Sequence, residues 1–172
     1  MACLATSAAA LAGPPMAWWL TLEVPATSKE VLGAAAETFS SDWVAVHQLS
    51  EADLPKDDRW GTETLAKPDF ALRFAGDFNS DGIADTAIVG TYKDRKGVSG
   101  KILSIGIIDP TGHFIPQFVQ TVVESGPKFS FLQWNGTKFV WWQCLYCGYG
   151  LPIVWNDGRY LVVPDITDDP PD

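Results

Sequence analysis

Thr86-Ala87-Ile88-Val89-Gly90-Thr91-Tyr92, then Lys101-Ile102-Leu103-Ser104-Ile105-Gly106-Ile107-Ile108, then Phe114-Ile115-Pro116-Gln117-Phe118-Val119-Gln120-Thr121-Val122-Val123 form three consecutive apolar runs rich in β-branched residues. Each is short enough for a strand, and each is bounded by turn chemistry: Asp94-Arg95-Lys96-Gly97 after the first, Asp109-Pro110-Thr111-Gly112 after the second, Ser125-Gly126-Pro127 after the third. Asp, Gly and Pro supply the backbone geometries that reverse a chain, so the block predicts an antiparallel meander.

Working outward, similar runs occur at Phe70–Ala75, Phe129–Trp134, Phe139–Gln143, Pro152–Trp155 and Tyr160–Val163, with Asn135-Gly136 reading as a two-residue hairpin turn and Asn156-Asp157-Gly158 as a second turn. Trp134-Asn135-Gly136-Thr137-Lys138-Phe139 is echoed by Trp155-Asn156-Asp157-Gly158-Arg159-Tyr160. The echo predicts two hairpins whose aromatics pack across strands. Towards the N-terminus, Thr27-Ser28-Lys29-Glu30 fits a capping box, and Val31, Leu32, Ala35, Ala36 and Phe39 share a helical face. Trp43–Val46 is a short apolar run, and Ser50 to Lys67 reads as a polar loop. The expected fold is mainly β, an antiparallel meander or β-sandwich or propeller-blade-like sheets, with one N-terminal helix.

The chain has 172 residues, 12 Lys and Arg against 21 Asp and Glu, and a formal net charge of −9. That balance argues against nucleic acid, whose phosphates demand a surplus of cations. No apolar run after Ala12 is long enough for a membrane span. Residues 1–12 are small and apolar and end in Ala10-Leu11-Ala12, the pattern of a signal-peptide cleavage site lacking its basic start. The expected organisation is therefore a truncated signal peptide at 1–12, a single β domain at 13–164, and an acidic, Pro-rich, flexible tail at 165–172, with export to the periplasm.

Three cysteines are present, and cleavage would leave Cys144 and Cys147. In an oxidising compartment these two are expected to pair and close a small loop. Free thiols, redox chemistry and a metal site are the alternatives. A zinc site would need two further ligands, and the only histidines are His47 and His113.

One segment carries specific chemistry. Asp77-Phe78-Asn79-Ser80-Asp81-Gly82-Ile83-Ala84-Asp85 has the form D-x-N-x-D-G-x-x-D. Side-chain oxygens at positions 1, 3 and 5 of a tight loop converge on a point, Gly at 6 permits the turn, the carbonyl of 7 adds a donor, and the acid at 9 closes the set. Asp77, Asn79, Asp81, the Ile83 carbonyl and Asp85 are the candidate Ca²⁺ ligands. Position 12 is Ile88, where an EF-hand needs Glu. With Phe74-Ala75-Gly76 before it and Thr86-Ala87-Ile88-Val89-Gly90 after it, the segment resembles the FG-GAP or VCBS-type calcium loops of integrin-like propellers and bacterial surface proteins. That resemblance implies a strand–loop–strand unit holding Ca²⁺.

No catalytic constellation is legible. A G-x-S-x-G elbow is absent, and the acid pairs Asp57-Asp58 and Asp168-Asp169 sit in polar stretches. The chain is not expected to be an enzyme. Eight tryptophans invite a sugar-binding reading, although Trp141 and Trp142 would point to opposite faces of a strand.

In size, signal-like start, all-β pattern and acidity, the chain resembles the periplasmic immunity proteins kept against type VI secreted peptidoglycan amidase effectors. The resemblance implies a one-to-one complex with a protein toxin whose active site is occluded by an inserted loop. Candidate loops are Asp109–Gly112, with Asp109 and Thr111, and Glu124–Lys128, with Glu124, Ser125 and Gly126; Pro127 would lower the cost of ordering the second. A calcium-dependent cell-surface or adhesion module and a carbohydrate-binding module are the alternative functions.

Overall fold

The computed structural model describes residues 22–55, 59–144 and 148–163. In chain order the elements are β1 (Glu30–Val31), β2 (Ala34–Ala35), α1 (Ala36–Phe39), β3 (Trp43–Gln48), a 3-10 turn (Glu51–Asp53) and α2 (Arg59–Leu65). There follow β4 (Phe70–Ala71), β5 (Arg73–Gly76), β6 (Asp85–Asp94), β7 (Ser99–Ile108), β8 (Phe114–Val123), β9 (Phe131–Trp134), β10 (Lys138–Trp142), β11 (Gly150–Asn156) and β12 (Arg159–Val162). The protein is mainly β, in three antiparallel sheets. The first large sheet runs β3-β6-β7-β8, with β5 pairing β6 beside β3; the second runs β12-β11-β10-β9-β4; β1 and β2 form a small hairpin. Among the described residues no helix is long and apolar enough to cross a membrane.

The three runs that open the sequence become β6, β7 and β8, paired in register from Asp85↔Ile107 to Lys93↔Ser99 and from Gly100↔Val123 to Ile108↔Phe114. In β6 and β7 the continuous apolarity has a simple cause: both faces of these strands are covered, whereas the edge strand β8 leaves Ile115 and Val123 exposed. Ala87, Val89, Leu103 and Ile105 pack against Leu132, Phe139, Trp141 and Ile153 of the second sheet. Ile88, Tyr92 and Ile102 face the other way, onto Val31, Ala34, Ala36, Phe39 and Trp43. Strand alternation thus splits one apolar run between two cores.

Three expectations are corrected. The capping-box helix from Thr27 is absent; Ser28 pairs with Val46 through backbone hydrogen bonds of 3.0 and 2.8 Å, and its hydroxyl bonds the Glu30 carbonyl. Leu32 and Gly33 have φ of 49° and 73°, so the chain reverses there, and helix is confined to the single turn Ala36–Phe39. Burial follows the hairpin, with Ala34 inside and Ala35 exposed. The polar stretch Ser50–Lys67 contains α2 and the 3-10 turn, whose Ser50 and Asp53 form a reciprocal cap. The run Phe70–Ala75 is two strands: β4 pairs β9 and β5 pairs β6, so the chain passes between the large sheets at Leu72.

Both echoed hairpins are present. Trp134 faces Phe139 with ring centroids 4.6 Å apart, and Trp155 faces Tyr160 at 4.8 Å. In the second, Asp157 and Gly158 are the two central turn residues, at φ 49° and 79°. In the first the central pair is likewise Gly136-Thr137, one residue later than the expected Asn135-Gly136 turn: Asn135 donates its N–H to the Lys138 carbonyl, and its side-chain oxygen caps the Thr137 and Lys138 N–H groups.

Gly33 shows how the small hairpin supports the large sheet. A Cβ there would lie 2.5 Å from His113 Cδ2, and Phe114 donates to the Leu32 carbonyl at 2.9 Å. Gly33→Ala is expected to destabilise the protein by about 1–2 kcal/mol, from left-handed strain and displacement of the His113 ring. A urea titration with no shift in midpoint would refute that coupling.

Candidate metal centre and surface loops

The D-x-N-x-D-G-x-x-D segment is the connection from β5 to β6, so strands flank it on both sides. Ser80 and Gly82 adopt φ of 60° and 84°, which wraps residues 77–83 into a tight coil with Gly at the position where the turn needs it. Asp77 accepts the N–H groups of Asp81 (3.1 Å) and Gly82 (3.0 Å), and Asp81 accepts that of Ile83 (2.7 Å). Asn79 accepts the Asp81 N–H at 3.1 Å and donates to the other Asp81 oxygen at 2.9 Å. Phe78 anchors the loop from below, meeting Phe139 edge-on at 4.7 Å and Trp134 at 5.0 Å.

Asp85 differs from the rest of the set. It is 1% exposed, at the first residue of β6. Its Oδ2 accepts the Phe78 N–H (3.0 Å) and the Tyr160 hydroxyl (3.2 Å), while its Oδ1 is buried with no hydrogen-bond partner among the described residues. Burial raises its carboxyl above the usual range; the Phe78 and Tyr160 donors pull it back, and the charges of Asp81 and Asp77 push it up again. The Tyr160 hydroxyl is raised well above its ordinary value by burial and then by Asp85. An orphaned buried carboxylate oxygen beside two further carboxylates is a donor set that fits a hard divalent cation.

The set is not a finished cage. Among the described residues no group of three or more His, Cys, Asp or Glu side chains is arranged to hold an ion. Asp77 and Asp81 point oxygens at loop N–H groups, but each carboxylate has lone pairs to spare and is exposed enough to rotate. Asp77, Asn79, Asp81, the Ile83 carbonyl and Asp85 would hold Ca²⁺, which would neutralise the repulsion that the loop now carries.

The two candidate interface loops lie at opposite ends of the β7–β8 hairpin. Ten-residue strands separate them by roughly 30 Å. Asp109–His113 joins β7 to β8, and residues 110–113 are exposed. Asp109 Oδ1 accepts the Thr111 hydroxyl (2.6 Å), the Thr111 N–H (2.8 Å) and the His113 N–H (3.0 Å), and Thr111 Oγ1 lies 2.6 Å from His113 Nδ1. The Thr111 hydroxyl first, then the His113 N–H, hold the Asp109 carboxyl below the ordinary range. Because Asp85 pairs with Ile107, the metal loop sits at this same end of the sheet.

Glu124–Lys128 is instead folded onto the domain. Glu124 Oε2 lies 3.0 Å from Lys101 Nζ and accepts the Lys128 N–H at 3.1 Å. Val24 donates to the Pro127 carbonyl, and Gly126 packs against the Glu23 carboxylate. Ser125 is exposed.

Cys144 is disulfide-bonded, and its partner lies outside the described residues, as does Cys147. The expected signal peptide, the acidic tail with Asp168-Asp169, and Asp57-Asp58 also lie outside them. His47 bonds Asp53 at 3.0 and 3.1 Å, tying β3 to the 3-10 turn. Trp141 is fully buried, and its neighbour Trp142, on the other face, donates to Gln133. Tyr160 was not legible as part of the loop, since 75 residues separate it from Asp85. Only its place in the echoed hairpin marked it. Comparison of the chain with protein-family models, curated proteins and solved structures gave no match.

Proposed function

We propose that this chain is an exported, non-catalytic binding protein that neutralises a type VI secreted peptidoglycan amidase by occluding its active site. Support comes foremost from the Asp109–His113 tip. A loop that must enter an enzyme cleft binds more tightly when it is ordered beforehand. Asp109 fixes the backbone of Thr111 and His113, and Gly33 and Leu32 buttress the base of the tip. The net charge of −9 favours encounter with a basic partner. Ca²⁺ in the Asp77–Asp85 loop would stiffen the same end of the sheet and act as a structural ion.

The expected result is a one-to-one complex with the amidase encoded beside this gene, and protection of cells in a lysis assay. Asp109→Ala, which frees three donors at an exposed turn, should weaken inhibition at least tenfold and, as loss of a cap does, lower the melting temperature by a few degrees, with inhibition measured well below it. Failure of the wild-type protein to inhibit would end the toxin reading.

The D-x-N-x-D-G-x-x-D loop favours a second reading, a calcium-dependent cell-surface module of FG-GAP or VCBS type. Such a module should bind cells with Ca²⁺ and release them with a chelator. An amidase inhibitor whose tip is fixed by Asp109 should inhibit in either condition below its melting temperature.

A further inference from the structure

The echoed hairpins are built alike but finished differently. Trp134 is covered, its ring packed on both Phe139 and Phe78. Among the described aromatic rings Trp155 meets only that of Tyr160, at an interplanar angle of 64°, and it remains 36% exposed. The two rings make a corner rather than a stack. That corner opens into a groove of about 340 Å³ between the metal loop, β8 and the β11–β12 hairpin. Its other lining groups include Gln117, Arg159, Asn79 and Asp81.

We propose that this groove is a binding site for a neutral saccharide. An exposed indole held by a hairpin offers a flat apolar face to the C–H side of a pyranose ring at little ordering cost. The Gln117 amide and the Arg159 guanidinium provide planar, paired donors and an acceptor for adjacent sugar hydroxyls, while Asn79 and Asp81 remain committed to the metal loop. Arg159 offsets Asp81, while Asp77 and Asp85, whose charges also reach Tyr160, set the groove against an anionic sugar. Its volume matches one to two sugar rings, at the lower end of small-molecule sites. Tyr160 forms the floor and is itself fixed by its bond to Asp85 and by contact with Phe118 at 5.8 Å. The site does not depend on the toxin partner, and its failure would leave that reading standing.

The test uses the full chain in Ca²⁺-containing buffer, titrated with chitotriose, cellotriose and maltotriose under saturation-transfer NMR and calorimetry. At least one of the three should saturate with a dissociation constant below about 10 mM. Trp155→Ala and Arg159→Ala should each weaken it at least tenfold, and Trp155→Phe should retain most of it. Arg159 is exposed, so its variant reports on the groove even if Trp155→Ala unfolds the hairpin. No saturable signal with any of the three sugars, or equal affinity in the wild type and Arg159→Ala, would overturn the assignment.

Discussion

Ca²⁺ added to the metal-free protein is expected to raise its melting temperature by about 5–10 °C. Saturation at about a hundredfold over the dissociation constant adds about 2.7 kcal/mol, and each kcal/mol moves a domain of this size by about 2–4 °C. The ion relieves a cost that the fold already carries: Asp85 is buried with Oδ1 unpaired among the described residues, and Asp77 and Asp81 add like charge. The pH dependence follows in sign. Burial raises the Asp85 carboxyl in the folded state, so the metal-free fold binds more protons than the unfolded chain just above pH 3.8, and its stability falls as pH rises through that interval. Ca²⁺ takes the ionised form, so its stabilising effect grows over the same interval and vanishes on acidification. Asp77→Asn and Asp85→Asn should each abolish the thermal shift while remaining folded in chelator. Mg²⁺ should give a smaller shift, because five donors on a flexible loop do not impose its octahedron. A wild-type protein whose melting curve is the same in 10 mM Ca²⁺ (about a tenfold excess over weak extracellular sites) and in chelator would remove the metal from the proposed function.

What was legible in the sequence was whatever depends on neighbours along the chain. β6, β7 and β8 were readable because β-branched runs alternate with Asp/Gly turns, and the double-sided apolarity of β6 and β7 has its cause in two cores. The metal loop was readable because its donors are local and spaced by the coil that Ser80 and Gly82 impose. The N-terminal helix failed for a physical reason: Thr27–Phe39 has both a capping box and a helical apolar face, but Gly33 lies against His113, and only a reversal at Leu32-Gly33 allows that approach. Phe70–Ala75 looked like one strand because a run of six residues does not announce that its halves pair with Leu132 and Ala87 in different sheets. The Tyr160 bond to Asp85 and the groove shared by Trp155 and Asp81 join segments about 75 residues apart, and no local pattern encodes them.

Glu124→Ala is expected to destabilise the protein by about 2–4 kcal/mol, which distinguishes a structural role for this residue from the interface role its loop suggested. Lys101 is 4% exposed within the first sheet, its Nζ donating to the Gln143 carbonyl at 2.6 Å and resting 3.0 Å from Glu124. It therefore ties β7 to the chain beside Cys144 and to the segment after β8. Removing Glu124 leaves a buried ammonium without its counter-charge, and the partial exposure of Glu124 keeps the cost below that of a fully enclosed pair. Burial lowers the Lys101 ammonium below its ordinary range, and Glu124 opposes that shift. Without Glu124 the lowering deepens, so between the folded value and 10.5 the unfolded chain holds a proton that the folded one has lost, and stability rises with pH. The deficit of Glu124→Ala against the wild type should accordingly shrink from pH 7 to pH 10 in urea unfolding. In Lys101→Met/Glu124→Ala the second change should cost less than it does alone, the coupling expected of residues in direct contact. If Glu124 also contacts the toxin, its alanine variant loses inhibition even below its lowered melting temperature. Below its lowered melting temperature, a variant damaged only through Lys101 inhibits as the wild type does.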